Sequence, residues 1–101
     1  MKVNIKSENG TAIAVLSGEI DHHTAKMLRA ELDKFVITMQ PDILAIDLSG
    51  ITFMDSSGIG LIIGRYKLIK ECGGRLEIHS PQPYIRRMLK ISGVERIVRI
   101  V

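Results

Sequence analysis

The stretch DILAIDLSG, residues 42–50, places Ile43, Leu44, Ala45, Ile46 and Leu48 almost without a break. A strand with one wet face alternates apolar and polar residues, because successive side chains point to opposite faces. A run this short and this continuous predicts instead a central strand covered on both faces. Such a strand needs helices around it, and the flanking sequence supplies them. In GEIDHHTAKMLRAELDKFVITMQP, residues 18–41, Ala25, Leu28, Leu32, Phe35, Val36 and Met39 recur at helical spacing as one buried stripe. Asp21 or Thr24 can cap that helix, and Pro41 stops whatever would continue past Gln40.

The remaining elements follow from the same periodicities. KVNIK and TAIAVLS alternate, and the Asn9-Gly10 pair between them is a strong hairpin signal, since both residues tolerate positive φ. A second helix begins near Ser57 and ends at Gly73-Gly74, which suit a left-handed cap. RLEIH reads as a strand. PQPYIRRMLKISG gives a third helix, with Pro83 in its first turn and Gly93 at its end. RIVRIV closes the chain as a final strand. The order β-β-α-β-α-β-α-β predicts an α/β fold with a mixed, mostly parallel sheet and helices packed on it, joined by right-handed crossovers.

A chain of 101 residues suits one domain, residues 1–101. Cys72 is alone, which excludes an internal disulfide and a two-cysteine metal site and fits a reducing cytoplasm. The opening MKVNIKSENG is polar and alternating, unlike a signal peptide, and no apolar stretch reaches the length of a membrane span. These features predict a soluble intracellular protein. The net charge of +3 is unevenly spread, because Lys and Arg outnumber Asp and Glu six to two in residues 75–101. That excess reads as an ordinary solvated face, although an acidic partner, a nucleotide or a nucleic acid would meet the same charge.

The chemistry of the chain concentrates in FMDSSGIGLIIGRYK, residues 53–67, which sets a carboxylate, two hydroxyls and three glycines ahead of and within an apolar helix. A serine hydrolase elbow requires glycine two residues before the nucleophile, where Ser56 has Met54 and Ser57 has Asp55. His22, His23 and His79 carry no pattern that recommends any of them as a triad base. A dinucleotide fingerprint would need its third glycine at 63 rather than 64, and a P-loop would need Lys-Ser/Thr where Arg65-Tyr66 stand. An anion nest at the helix start and plain capping by Asp55 or Ser56 both remain open. Capping alone leaves the glycines unexplained, since each loses roughly 1 kcal/mol relative to alanine inside a helix. Gly58 and Gly60 alternate near the exposed end, as though something outside must come close.

GEIDHHTA (18–25), IDLSGITFMDSSGIGLIIGRYK (46–67), Gly73-Gly74 and MLKISGVERIVRI (88–100) together resemble the bacterial anti-sigma-factor antagonists, single-domain members of the STAS family, and in particular their sporulation branch. The resemblance implies a partner-switching protein. In that family the unmodified antagonist binds an anti-sigma factor that is a serine kinase, and so frees the sigma factor. The kinase then phosphorylates a serine in the D-S-S-G motif, the complex dissociates, and a metal-dependent serine phosphatase reverses the modification.

Carried over by position, the phosphorylated residue is Ser56, with Ser57 the alternative. The resemblance also implies two partner-binding stretches: Glu19, Asp21, His22, His23 and Thr24 in one loop, and Asp55, Ser57, Gly58 and Gly60 in the other. Asp55 would cap its helix, orient Ser56, or take part in proton transfer within the kinase. The adjacent His22 and His23 lack a third ligand and make a poor metal site. The expectations are a cytoplasmic protein, monomeric when free, without enzyme activity, metal or cofactor, the ATP being used by the kinase. No direct contact with nucleic acid or membrane is expected. Two other readings are a scaffold or transporter-accessory module on the same fold, and a nucleotide enzyme built on the glycine turn.

Overall fold

A computed structural model describes residues 1–101. Strands β1 (Lys2–Glu8), β2 (Thr11–Ile20), β3 (Ile43–Met54), β4 (Arg75–His79) and β5 (Arg99–Ile100) form one sheet in chain order, with helices α1 (His22–Met39), α2 (Ser56–Glu71) and α3 (Pro83–Ser92) between the later strands. The β1–β2 pair is antiparallel, and β2 to β5 run parallel. At the hairpin, Asn9 and Gly10 take φ of 52° and 83°, the two left-handed residues that a tight turn between Glu8 and Thr11 requires. The α3 end is as legible, for Pro83 opens that helix and Gly93 closes it in the left-handed region.

The sheet has one covered face. Ala12, Ala14 and Leu16 of β2, Leu44, Ile46 and Leu48 of β3, and Leu76 and Ile78 of β4 join one buried cluster with the inward residues of all three helices. The alternate residues of the same strands, including Ile13, Val15, Ile43, Glu77 and His79, lie outside it and are only half buried. The both-faces expectation for residues 42–50 is therefore corrected. Ala45 is fully buried without being part of the helix-covered core, sitting between its strand neighbours Ile13 and Glu77. A small residue hidden by taller flanking side chains imitates a second core face in the sequence. On this open face His79 Nε2 lies 3.0 Å from Glu77 Oε1, and this hydrogen bond chiefly holds the Glu77 carboxyl below its usual range.

Two further differences are local. Met39, assigned to the buried stripe of α1, is the last residue of the helix and is 57% exposed, while Leu28, Leu32 and Val36 are fully buried. RIVRIV, residues 96–101, splits: Arg96 ends a 3-10 turn that begins at Val94, Ile97 is exposed, Val98 is buried, and pairing with β4 is confined to Arg99 and Ile100. The core there is reached by a turn rather than by an alternating strand.

Candidate functional site

The site begins with the register of β2 on β3. Two bulges interrupt that pair, between Val15 and Ser17 and between Gly18 and Glu19, and re-aim both strand ends. Beyond them Ile20 pairs with Met54, so the next residues, Asp21 and Asp55, leave the sheet side by side. The Asp55 amide donates to the Ile20 carbonyl at 3.2 Å, which ties the two exits together. Each aspartate is the N-cap of the helix that follows. The loop Glu19–Thr24 and the turn Asp55–Gly60 are thus brought to one end of the molecule.

The α1 cap is a full capping box. Asp21 Oδ1 accepts from the amides of His23 and Thr24, both at 2.9 Å, and the Thr24 hydroxyl oxygen accepts from the Asp21 amide at 2.9 Å. The same hydroxyl donates to the Glu19 carbonyl at 2.8 Å. Asp21 and Thr24 therefore share the capping task. The Asp21 carboxyl is held below its ordinary value, first by the Thr24 amide and also by the His23 amide and the Thr24 hydroxyl. His22 and His23 stand exposed in the first turn, with ring centroids 5.7 Å apart.

The α2 cap is simpler. Asp55 Oδ1 accepts from the Ser57 amide at 2.8 Å, and the Asp55 carbonyl accepts from Gly58. Ser56 is the first residue of the helix, exposed, with no hydrogen bond to its hydroxyl. Ser57 is half buried and turns toward α1. The three glycines do different jobs. A Cβ on Gly58 would collide with the buried Met54 side chain, whereas at Gly60 and Gly64 it would meet nothing within 4 Å. Close packing thus explains Gly58 alone.

Between α1 and α2 runs a groove of about 540 Å³, lined on one side by His22, Lys26 and Arg29 and on the other by Ser57, Gly60 and Gly64. At its deep end the buried Arg65 lies 2.8 Å from Asp33. Sequence reasoning missed this wall, because Asp33 and Arg65 sit on different helices with no local motif to join them. It also missed Phe53, which ITFMD presents as one more strand hydrophobe. The second bulge leaves Phe53 45% exposed opposite Glu19, and Tyr84 donates its hydroxyl hydrogen to the Thr52 carbonyl at 3.0 Å beside it. The only sequence hint was Gly18, whose φ of 117° marks the irregular backbone.

The sheet order, the paired helix mouths and the Asp-Ser-Ser-Gly turn define an α/β module that presents two helix N-termini on one surface. The family model for the STAS domain matches residues 2–101, and the chain belongs to that family. It is 38% identical over 100 residues to the anti-sigma F factor antagonist of Paenibacillus polymyxa, covering 99% of this chain and 86% of the relative. The anti-sigma factor antagonist SpoIIAA in its unphosphorylated form superposes with a TM-score of 0.85 at 26% identity, over 99% of this chain and 88% of that one. The phosphorylated form of the Bacillus cell-fate determinant SpoIIAA gives a TM-score of 0.77 at 26% identity, over 99% and 91%. No helix of the chain is long and apolar enough to cross a membrane.

Proposed function

We propose that the chain is an anti-sigma-factor antagonist whose unphosphorylated form binds an anti-sigma serine kinase and is released when Ser56 is phosphorylated. The observation that carries this reading is the placement of Ser56. It is an exposed hydroxyl without a hydrogen bond at the first residue of α2, with the Glu19–Thr24 loop brought alongside by the Ile20–Met54 pairing. The relatives support the regulatory role, and a fold neighbour known in phosphorylated and unphosphorylated forms supports the switch.

Physical chemistry makes the switch economical. Phosphorylation adds about −1.5 to −2 charge at neutral pH. A helix N-terminus favours an anion, so the antagonist itself stays folded. The effect falls on the interface, where a partner carboxylate about 5 Å away repels each added charge by roughly 1–3 kcal/mol. At about 1.4 kcal/mol per decade, affinity drops tenfold or further. Asp55 caps and orients in this reading, Gly60 leaves room for the kinase backbone and its nucleotide, and exposed Phe53 supplies an apolar anchor. Glu19, His22, His23 and Thr24 form the second contact. The setting is cytoplasmic, the free protein is a monomer, it has no catalytic activity or cofactor of its own, and a metal-dependent phosphatase restores it.

The test is intact mass and peptide mapping after incubation with the anti-sigma kinase and magnesium-ATP. One phosphate on Ser56, with loss of the complex on a sizing column, is the expected result. Ser56→Ala stays bound and Ser56→Asp binds poorly. Phosphate on Ser57, or binding and release by both variants as in the parent, overturns the assignment.

A further inference from the structure

Helix α3 carries charge that neither the fold nor the helix itself uses. Arg86, Arg87 and Lys90 stand exposed on its outer side, exposed Arg96 follows in the next turn, and none of the four forms an ion pair. Glu95 is the one acidic residue in residues 80–101. Arg86 and Lys90 are like charges four residues apart, a spacing that weakens a helix. The helix dipole favours Lys90 in the last turn but not Arg86 and Arg87, which lie nearer the N-terminus. That end has no acidic residue in its first turn and no side-chain hydrogen bond from its Gln82 cap to offset them. Beside the cations Ile91 is 79% exposed, one turn beyond Arg87, and Tyr84 is exposed one turn before it.

We propose that this face of α3 docks an acidic protein segment, whose carboxylates meet Arg86, Arg87, Lys90 and Arg96 and whose apolar side chain covers Ile91. Charge complementarity selects the occupant. Three of the four cations are arginines, whose planar forks match carboxylates two bonds at a time. Arginine and tyrosine are enriched in protein interfaces, where an apolar centre sits within a polar rim. A membrane fits less well, because α3 has committed its apolar face to the core through Ile85 and Leu89, and a single isoleucine is too little to anchor a helix in lipid. A nucleic-acid backbone uses the cations but gives Ile91 and Tyr84 nothing to do. The Tyr84 hydroxyl, bonded to the Thr52 carbonyl, fixes α3 to the sheet, so the face is held by the fold before a partner arrives. The surface goes beyond the Ser56 reading. Because β3 and β4 are parallel, α3 starts at the end of the molecule that holds Ser56 and runs back toward the other, carrying Ile91 and Arg96 away from Ser56.

The test is an NMR amide-shift titration of the whole chain with a synthetic peptide of repeated Leu-Glu-Glu-Glu units, at roughly physiological salt, where diffuse surface attraction is screened. Saturable shifts centred on Arg86, Arg87, Lys90, Ile91 and Arg96 are expected, and none with the same peptide carrying glutamine for glutamate. Arg87→Gln with Lys90→Gln should weaken binding about tenfold. Ile91→Ser should weaken it about threefold or more, which charge attraction alone does not predict, and it folds because that side chain lies in solvent. Lys2→Gln with Lys6→Gln removes the same charge from exposed positions of β1 and should leave binding unchanged. The proposal is overturned by the absence of saturable binding of the acidic peptide, by shifts spread over the other basic residues, or by an Ile91→Ser variant that binds as the parent does. Tighter binding of phosphatidylserine vesicles or of duplex DNA than of the peptide overturns it as well. No kinase takes part in the titration, so failure here leaves the Ser56 switch standing, and failure of the switch leaves this surface untouched.

Discussion

The mouths of α1 and α2 start from the same design and finish differently. Both follow adjacent parallel strands, both open on an aspartate N-cap, and both lack an acidic residue in the first turn. At α1 the cap is closed on itself, with two amides on Asp21 and the Thr24 hydroxyl bonded back to the loop. At α2 one amide is met by the Asp55 side chain, and Gly58 and Gly60 stand where α1 has Thr24 and Lys26. One mouth uses its polar groups to hold its own backbone. The other leaves a hydroxyl and bare backbone for something else. A helix end that serves recognition gives up part of the capping that a structural end keeps.

The strongest test of that contrast lies inside α2, where Gly58 belongs to the fold and Gly60 to the surface. Gly58→Ala should destabilise the protein, since overpacking against Met54 costs about 1–3 kcal/mol and helix propensity returns only about 1 kcal/mol. Urea denaturation measures the difference, and a variant as stable as the parent would show that Met54 moves aside freely. Next in size are the caps. Asp55→Ala should cost about 1 kcal/mol, the ordinary value for an N-cap. Asp21→Ala should lower the melting temperature by more than Asp55→Ala does, because it frees two amides where Asp55→Ala frees one. Equal losses would mean that the capping box adds nothing to the simpler cap.

Much of this was legible in the sequence because the signals were local. The Asn9-Gly10 turn, the helical stripe through Leu28, Leu32 and Val36, the caps at Asp21 and Asp55, and Pro83 and Gly93 about α3 all depend on neighbours in the chain. The element order, and with it the α/β class, followed from them. Ala45 misled because periodicity registers burial and not its cause, and flanking side chains bury a small residue as well as a helix does. Phe53 and the Asp33–Arg65 pair stayed hidden for the opposite reason. A bulge depends on the register of two strands, and an interhelical ion pair depends on packing, so neither leaves a pattern within one window.

Gly60 turns the contrast into opposed effects on stability and recognition. Gly60→Ala meets no neighbour, so it should stabilise the fold by up to about 1 kcal/mol through helix propensity alone. The same methyl faces outward from the second turn of the mouth, where the proposed kinase contact lies. Affinity measured by titration calorimetry should therefore fall while the melting temperature rises. A variant that gains stability and binds as the parent does would remove Gly60 from the interface.

The smallest effect separates the closed mouth by pH. The folded Asp21 pKa lies below its ordinary 3.8, so the folded state binds the Asp21 proton less readily than the unfolded chain does. Its contribution is fully present above the unfolded value and is lost as pH falls through the folded one. Asp21→Asn keeps an acceptor for the His23 and Thr24 amides, since asparagine caps about as well as aspartate, but it has no proton to gain. The two proteins should be close in stability at neutral pH, and the parent should lose more on acidification below about pH 4. Glu77, also held low by its hydrogen bond to His79, titrates in both proteins and cancels from the difference. Urea midpoints at a series of pH values provide the measurement. Parallel curves would mean that the Asp21 carboxylate is held no more tightly in the folded protein than in the unfolded chain, and that the closed mouth of α1 rests on its neutral hydrogen bonds alone.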